Sequence, residues 1–247
     1  MRQIIIILFC CSSITMNAQK SAFVPTEIGI KSGFYSSTIF PEHNYGSGLN
    51  QYVFTPGNTI GIALNWQLKN KDYLVLEAEW SRQGQKHEDW KVENDPAFYF
   101  QKSIDLEYVR FPFYYKKMID LRKKNFDLYW LAGLYGSYLS KADITYIRGG
   151  GIVDFVTAMT EKNDYADEIY QPSSLKDLFQ SFDIGLVLGG GIQTLVNDQV
   201  VISCEIRMES GMTDINDSDW RFPHPKNGYK ASRNYLLGLK GGIAYRF

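Results

Sequence analysis

Eight stretches of this chain alternate apolar and polar residues with a period of two, each bounded by turn-forming residues, as strands with one greasy face do. The first runs from Thr26 to Ile39 and carries Ile28, Ile30 and Phe34 on one face. The second, Asn58 to Lys69, sets Ile60, Ile62, Leu64, Trp66 and Leu68 against Gly61, Ala63, Asn65 and Gln67. The third, Tyr73 to Gln83, sets Leu74, Leu76, Ala78 and Trp80 against Glu77, Glu79 and Ser81. In the fourth, Ser103 to Tyr115, the faces are Val109, Phe111, Phe113 and Tyr115 against Tyr108, Arg110, Pro112 and Tyr114. The fifth, Phe126 to Leu139, opposes Leu128, Trp130, Ala132 and Leu134 to Asp127, Tyr129, Gly133, Tyr135 and Ser137. The sixth, Ser181 to Thr194, opposes Ile184, Leu186, Leu188 and Ile192 to Asp183, Gly185, Gly189, Gly191 and Gln193. The seventh, Val200 to Gly211, has Ile202, Cys204, Ile206 and Met208 facing away from Ser203, Glu205, Arg207 and Glu209. The eighth, Leu237 to Phe247, sets Leu237, Leu239, Ile243, Tyr245 and Phe247 against Lys240 and Arg246, with small residues between them.

The connections alternate as regularly as the side chains. Short ones follow the second, fourth and sixth segments (Asn70 to Asp72, Lys116 to Asn125, Leu195 to Gln199). Long ones follow the first, third, fifth and seventh (Phe40 to Gly57, Gly84 to Lys102, Ser140 to Gln180, Thr213 to Ala231). A sandwich has no reason to sort its loops by parity. An outer-membrane barrel does, with short periplasmic turns and long extracellular loops. The pattern therefore predicts an all-β, eight-stranded antiparallel up-and-down transmembrane barrel whose greasy faces meet lipid.

Composition supports this. The chain has 247 residues, 15% of them aromatic, and a formal charge of −1, which gives no support to nucleic-acid binding. Met1 to Gln19 reads as a signal peptide: Arg2, then the apolar run Ile4 to Cys11, then a small-residue site that puts cleavage after Ala18 or Gln19. Residues 20–247 are expected to form one barrel domain. Cys204 is the lone cysteine left after cleavage, so no intramolecular disulfide is available.

The polar faces carry the candidate site. Glu77, Glu79, Asp127, Asp183 and Glu205 are acidic, and Arg110, Arg207, Lys240 and Arg246 are basic. Near-balanced charges inside a narrow barrel are expected to pair in a filled lumen, because burying them unpaired is costly. Trp66, Trp80, Trp130, Tyr115 and Tyr245 are expected at the membrane interfaces. Leu175 to Phe179 is expected to form a short helical turn folding the long connection over the barrel mouth.

Other chemistry fits poorly. Gly149–Gly151 and Gly189–Gly191 lack the Gly-Lys-Ser/Thr of a phosphate loop. Asp214 to Asp219 lacks the glycine and the acidic closing residue of an EF-hand. His43, His87 and His224 fall in three different connections, without metal-ligand spacing. No catalytic residue, metal or cofactor is expected.

Four segments in order, Glu77–Gly84, Tyr108–Phe113, Phe182–Gly191 and Glu205–Ile215, resemble the PorT-like family of small outer-membrane β-barrels, also called the porin family. The resemblance spans nearly the whole mature chain. It implies a Gram-negative outer membrane, and a closing strand ending at Phe247 that barrel-assembly machinery reads. The founding member's link to secretion implies envelope secretion components as partners. It supplies no catalytic residues. The long fifth-to-sixth connection and Arg110 depart from its pattern. A scaffold with a filled lumen is the leading expectation. A narrow passive pore and a soluble lipocalin-like barrel with inverted faces are the alternatives.

Overall fold

In the computed structural model, residues 24–40, 51–68, 71–89, 100–119, 126–148, 151–153, 174–218, 221 and 229–247 are described. Residues 1–19, where the sequence predicts a signal peptide, and His43 and His224 lie outside them. The strands are β1 (Glu27–Phe40), β2 (Gln51–Val53), β3 (Thr55–Gln67), β4 (Asp72–Asp89), β5 (Phe100–Ile119), β6 (Asp127–Arg148), β7 (Gly151–Val153), β8 (Phe182–Val196), β9 (Val200–Gly211) and β10 (Arg233–Arg246). Eight long strands pair antiparallel in the order β3-β1-β10-β9-β8-β6-β5-β4, and β4 pairs β3 to close the ring. The short strands β2 and β7 add to β4 and β6. Closure leaves the barrel itself without an edge strand.

Side-chain parity follows the predicted pattern in all eight strands. Ile30, Ile62, Phe113, Leu134, Ile184, Ile206 and Leu239 are outward and half-exposed or more, while Lys31, Glu77, Arg110, Glu205, Arg207 and Lys240 are buried inside. The inverted, lipocalin-like arrangement is therefore not the one adopted. Aromatic residues edge the apolar belt. Tyr115 meets Trp130, and Tyr245 meets Phe247, toward the short turns; Phe34 meets Phe54, and Tyr138 meets Phe182, at the opposite edge. Trp130 and Tyr138 are separated by about 27 Å of strand, or roughly 21 Å of height at the usual barrel tilt, which suits a hydrocarbon layer. Ile62, midway down this belt, is 52% exposed. Ile62→Arg is expected to destabilise the lipid-embedded barrel by about 2–4 kcal/mol in a denaturant titration in liposomes.

β4, β5 and β6 run furthest beyond the bounds that the alternation indicated. They continue past Gln83, below Ser103 and past Leu139 respectively, so they rise above the belt on one side of the barrel. There the apolar phase inverts. Val109, Phe111 and Phe113 face outward, but Leu106 and Ile104 face inward; on β6, Leu134 and Tyr138 face outward, but Leu139, Ala142 and Ile144 face inward. A register shift at Glu107/Tyr108 accompanies the change. Outside the membrane the outer surface meets water, so the greasy face must turn in. The connection Ser140 to Gln180 is thus partly strand.

Inward Ile104, Leu106, Leu139 and Ile144 pack with Ile39, Leu178, Phe179 and Ile215 into a small apolar core above the lumen. Leu178 belongs to a 3-10 turn, Leu175–Leu178, capped by Ser174. A single β-bridge from Phe179 to Asn216 ties that turn to the β9–β10 connection. The sequence expectation of a turn folded back over the mouth agrees with this arrangement.

Candidate functional site

Below the apolar core, eight charged side chains meet in the lumen. Lys31 comes from β1, Glu77 and Glu79 from β4, Arg110 from β5, Glu205, Arg207 and Glu209 from β9, and Lys240 from β10. Each lies at an alternate, inward position, and all are nearly inaccessible to solvent. Four cations face four carboxylates, so the cluster is formally neutral. That balance matters at this depth, because an uncompensated charge in a low-dielectric interior costs several kcal/mol.

Glu77 is the hub. Arg207 grips it with two bonds, Nη1 to Oε2 at 2.8 Å and Nη2 to Oε1 at 3.0 Å. Lys240 Nζ lies 2.6 Å from Oε2 and Lys31 Nζ 3.0 Å from Oε1. The Tyr114 hydroxyl donates to Oε1 at 2.5 Å and accepts from Lys31 at 2.8 Å and from Arg207 at 3.1 Å. Planar, bidentate pairing of this kind is what guanidinium supplies and ammonium cannot.

The other carboxylates extend the network. Glu205 takes Lys31 at 3.2 Å, the Tyr129 hydroxyl at 2.9 Å, and Arg207. Glu79 is shared by Lys240 and Arg110, the latter at 3.5 Å. Glu209 pairs with Arg110 and stands 3.7 Å from Arg207. The Arg110 guanidinium lies 4.2 Å from the Tyr135 ring centre, a cation–π contact that helps a desolvated cation.

Local sequence makes room for these rings. Tyr114 stands opposite Gly133, where a Cβ would come within 2.4 Å of Tyr114 Cβ. Tyr135 stands opposite Gly185, where a Cβ would meet the ring at 2.4 Å. Glycine lets each ring lie flat against its neighbour. The crowded inner glycines of β8 serve the same end, since a Cβ on Gly191 would meet that of Glu205 at 2.8 Å. Pro112, buried beside Glu77, has no N–H, and the β4–β5 ladder skips from Leu76↔Phe113 to Glu79↔Arg110 there.

The nine charged candidates divide. Glu77, Glu79, Arg110, Glu205, Arg207 and Lys240 come together. Asp183 is buried but apart, accepting from the hydroxyls of Tyr135 at 2.9 Å and Thr213. Arg246 forms a second site at the short-turn end, donating to Glu27 at 2.7 and 2.9 Å and to the Tyr73 hydroxyl at 3.2 Å. Asp127 is half-buried at that same end, opposite Gln193. Phe247 lies beyond β10 and is 76% exposed. Lys31, Glu27 and Glu209 belong to these networks but fell outside the candidate set. Parity could have found them: Lys31 and Glu27 alternate with Ile28, Ile30 and Phe34, and Glu209 with Met208.

The cavity beside Lys31, Asn65, Lys116 and Ser203 measures about 10 Å3, at the lower limit for one water. Lys116 fills the lumen below the cluster, bonded to Gln193 and stacked 4.2 Å from the Tyr129 ring centre. Among the described residues no group of His, Cys, Asp or Glu is arranged to hold a metal. Asp214, the first residue of the calcium-like run, is taken by protein donors: Arg221 at 3.0 Å, the Ser232 N–H at 3.0 Å, and Tyr229. Burial and that carboxylate push the Tyr229 hydroxyl up to about 12. His87 is fully buried on the inner face of β4, edge-on to Tyr52 at 5.2 Å.

Residues 17–217 match the outer membrane protein beta-barrel domain family. The chain belongs to that family. It is an outer-membrane β-barrel with a polar, salt-bridged interior. Similar solved structures are Neisserial surface protein A (13% identity, 89% of this chain and 97% of that one, TM-score 0.40) and OprG of Pseudomonas aeruginosa (11%, 91% and 97%, 0.41). Outer membrane protein W of E. coli is another (14%, 91% and 100%, 0.38). No curated protein matches the chain.

Proposed function

We propose that this barrel is a closed scaffold, not a conduit or an enzyme, and that it presents its raised β4–β5–β6 wall and long connections to envelope partners. The observation that carries this reading is the doubly blocked lumen: a neutral network of eight charges with an apolar core packed above it. A conduit needs continuous water, and here the charges are spent on one another.

The kinship to PorT-like proteins suggested by the four sequence segments belongs to this proposal. So does an accessory role in secretion across the Gram-negative outer membrane. The partners it expects are outer-membrane lipid, the barrel-assembly machinery during insertion, and envelope secretion components thereafter. A signal peptide over residues 1–19 delivers the chain on this reading.

The test is replacement of residues 149–173 by a short Gly-Ser linker, which keeps all eight charged residues of the lumen network. The variant is expected to reach the outer membrane with heat-modifiable migration, and the producing cells to lose part of their secreted-protein profile. An unchanged profile from cells that depend on this barrel would overturn the scaffold role.

A further inference from the structure

At the outer edge of the lipid belt the barrel wall is notched. Pro56 offers no N–H, and the β3–β4 ladder, continuous from Gln67↔Tyr73, stops at Asn58↔Arg82. Beyond it, side chains replace the backbone bonds. Ser37 Oγ donates to the Gly84 carbonyl at 2.8 Å and accepts from the Gly84 N–H at 2.9 Å, and Thr55 Oγ1 accepts from the Lys86 N–H at 2.8 Å. Strand pairing resumes at Val53↔Lys86.

Outside this break lies a cleft of about 530 Å3, within the ~300–1,000 Å3 usual for small-ligand sites. Its lining is amphipathic. Phe34 and Pro56 are apolar, Arg82 and Lys86 are cationic, and Asn58 and Ser103 offer neutral hydrogen-bonding groups. Among the described lining residues Asp105 is the one carboxylate. Arg82 pairs with it at 2.9 Å, but the two side chains are 53% and 32% exposed, so water screens the pair and it holds weakly. A phosphate offers the guanidinium a bidentate partner of higher charge. Two cations against one carboxylate line the cleft, and the neighbouring Glu107, opposite Arg82, accepts from Trp80 Nε1 at 3.3 Å.

Position selects the ligand. At the cleft, Phe34, opposite Asn58, and Phe54, on the outer side of Pro56, are 57% and 62% exposed, with ring centres 6.5 Å apart; directly below, the outward pair Ile60↔Trp80 begins the lipid-facing surface, with Ile60 54% exposed. Trp80 stands two residues below Arg82 on the same outward face. A molecule in the cleft therefore has its polar end among cations and its continuation along the apolar belt. We propose that the Pro56 notch binds the phosphorylated headgroup of an outer-leaflet glycolipid, with Arg82 and Lys86 on the phosphate and the acyl chains running past Phe34 onto Ile60 and Trp80.

Native mass spectrometry of the detergent-solubilised full chain tests this, using bisphosphorylated lipid A, its dephosphorylated form and inorganic phosphate as probes. The bisphosphorylated lipid is expected to be retained. An Arg82→Ala/Lys86→Ala double variant should lose about tenfold or more in apparent affinity, from roughly 1 kcal/mol per cation at a membrane surface. Lys86→Ala alone should lose a smaller share, and Lys141→Ala, an exposed cation outside the cleft, none. Dephosphorylated lipid and equimolar inorganic phosphate should not compete. Full retention by the double variant overturns the proposal, as does an equal loss in Lys141→Ala. Displacement by inorganic phosphate reduces the cleft to a simple anion site and overturns the lipid assignment. Heat-modifiable migration confirms that each variant is folded.

Discussion

Glu77→Ala is expected to destabilise the folded barrel by about 3–5 kcal/mol, the usual result of removing one partner from a buried ionic network. The carboxylate is the shared acceptor of Lys31, Arg207, Lys240 and Tyr114, so its loss leaves four cations to three carboxylates. Denaturant titration of the reconstituted protein, followed by tryptophan fluorescence and by heat-modifiable migration, reads the loss directly. Two comparisons separate charge from volume. Glu77→Leu/Arg207→Leu restores neutrality and should lose clearly less than its two single variants combined. Asp105→Ala, which breaks the exposed Arg82 pair, should cost less than about 1 kcal/mol. A Glu77→Ala barrel as stable as the wild type would show that the network contributes nothing beyond filling space.

The second large effect is expected at the apolar core above the lumen. Phe179 is 2% exposed and packs beside Leu178 among Ile39, Ile104, Leu106 and Ile215. Phe179→Ala removes a buried ring, a change that costs about 3–5 kcal/mol in a well-packed interior. Here the loss should be local, because the segment is held by a 3-10 turn and one β-bridge while the barrel ladders are untouched. Hydrogen exchange should quicken at 174–180 and 214–217, with the amides of β8 and β9 still protected. Slow exchange at 174–180 in the variant would contradict the sealing role.

How much of this was legible in the sequence depends on where the membrane ends. Within the belt, water is excluded from one face, so alternation such as Ile60-Gly61-Ile62-Ala63-Leu64 states both the strand and its orientation. Strand ends were misjudged where the solvent changes. Along β4, Gln83, Gln85 and His87 are buried while Arg82 and Lys86 are outward, so polar residues occupy both faces and the period-two signal vanishes. In β5 the apolar phase slips between Leu106 and Val109, which reads as the end of a strand although the backbone continues. The charge cluster was legible in kind. Six of its eight members were picked out by type and parity, but which carboxylate met which cation depends on ring closure bringing β4 across from β9 and β10. Lys31 is hard to assign from sequence because Ser32, Ser36 and Thr38 put polar residues on the outward face of its strand as well. The Pro56 notch lies in the expected connection Phe40 to Gly57, because a proline reads as the limit of a strand, and its cations come from β4.

On the proposed reading the lumen is shut by its own charges. Single-channel recording of the wild-type barrel in planar bilayers is the decisive experiment. No steady conductance is expected in the wild type, and discrete openings are expected once Glu77→Ala is combined with Arg207→Ala and Phe179→Ala to clear both the cluster and the core above it. Steady conductance through the unmodified barrel would contradict it.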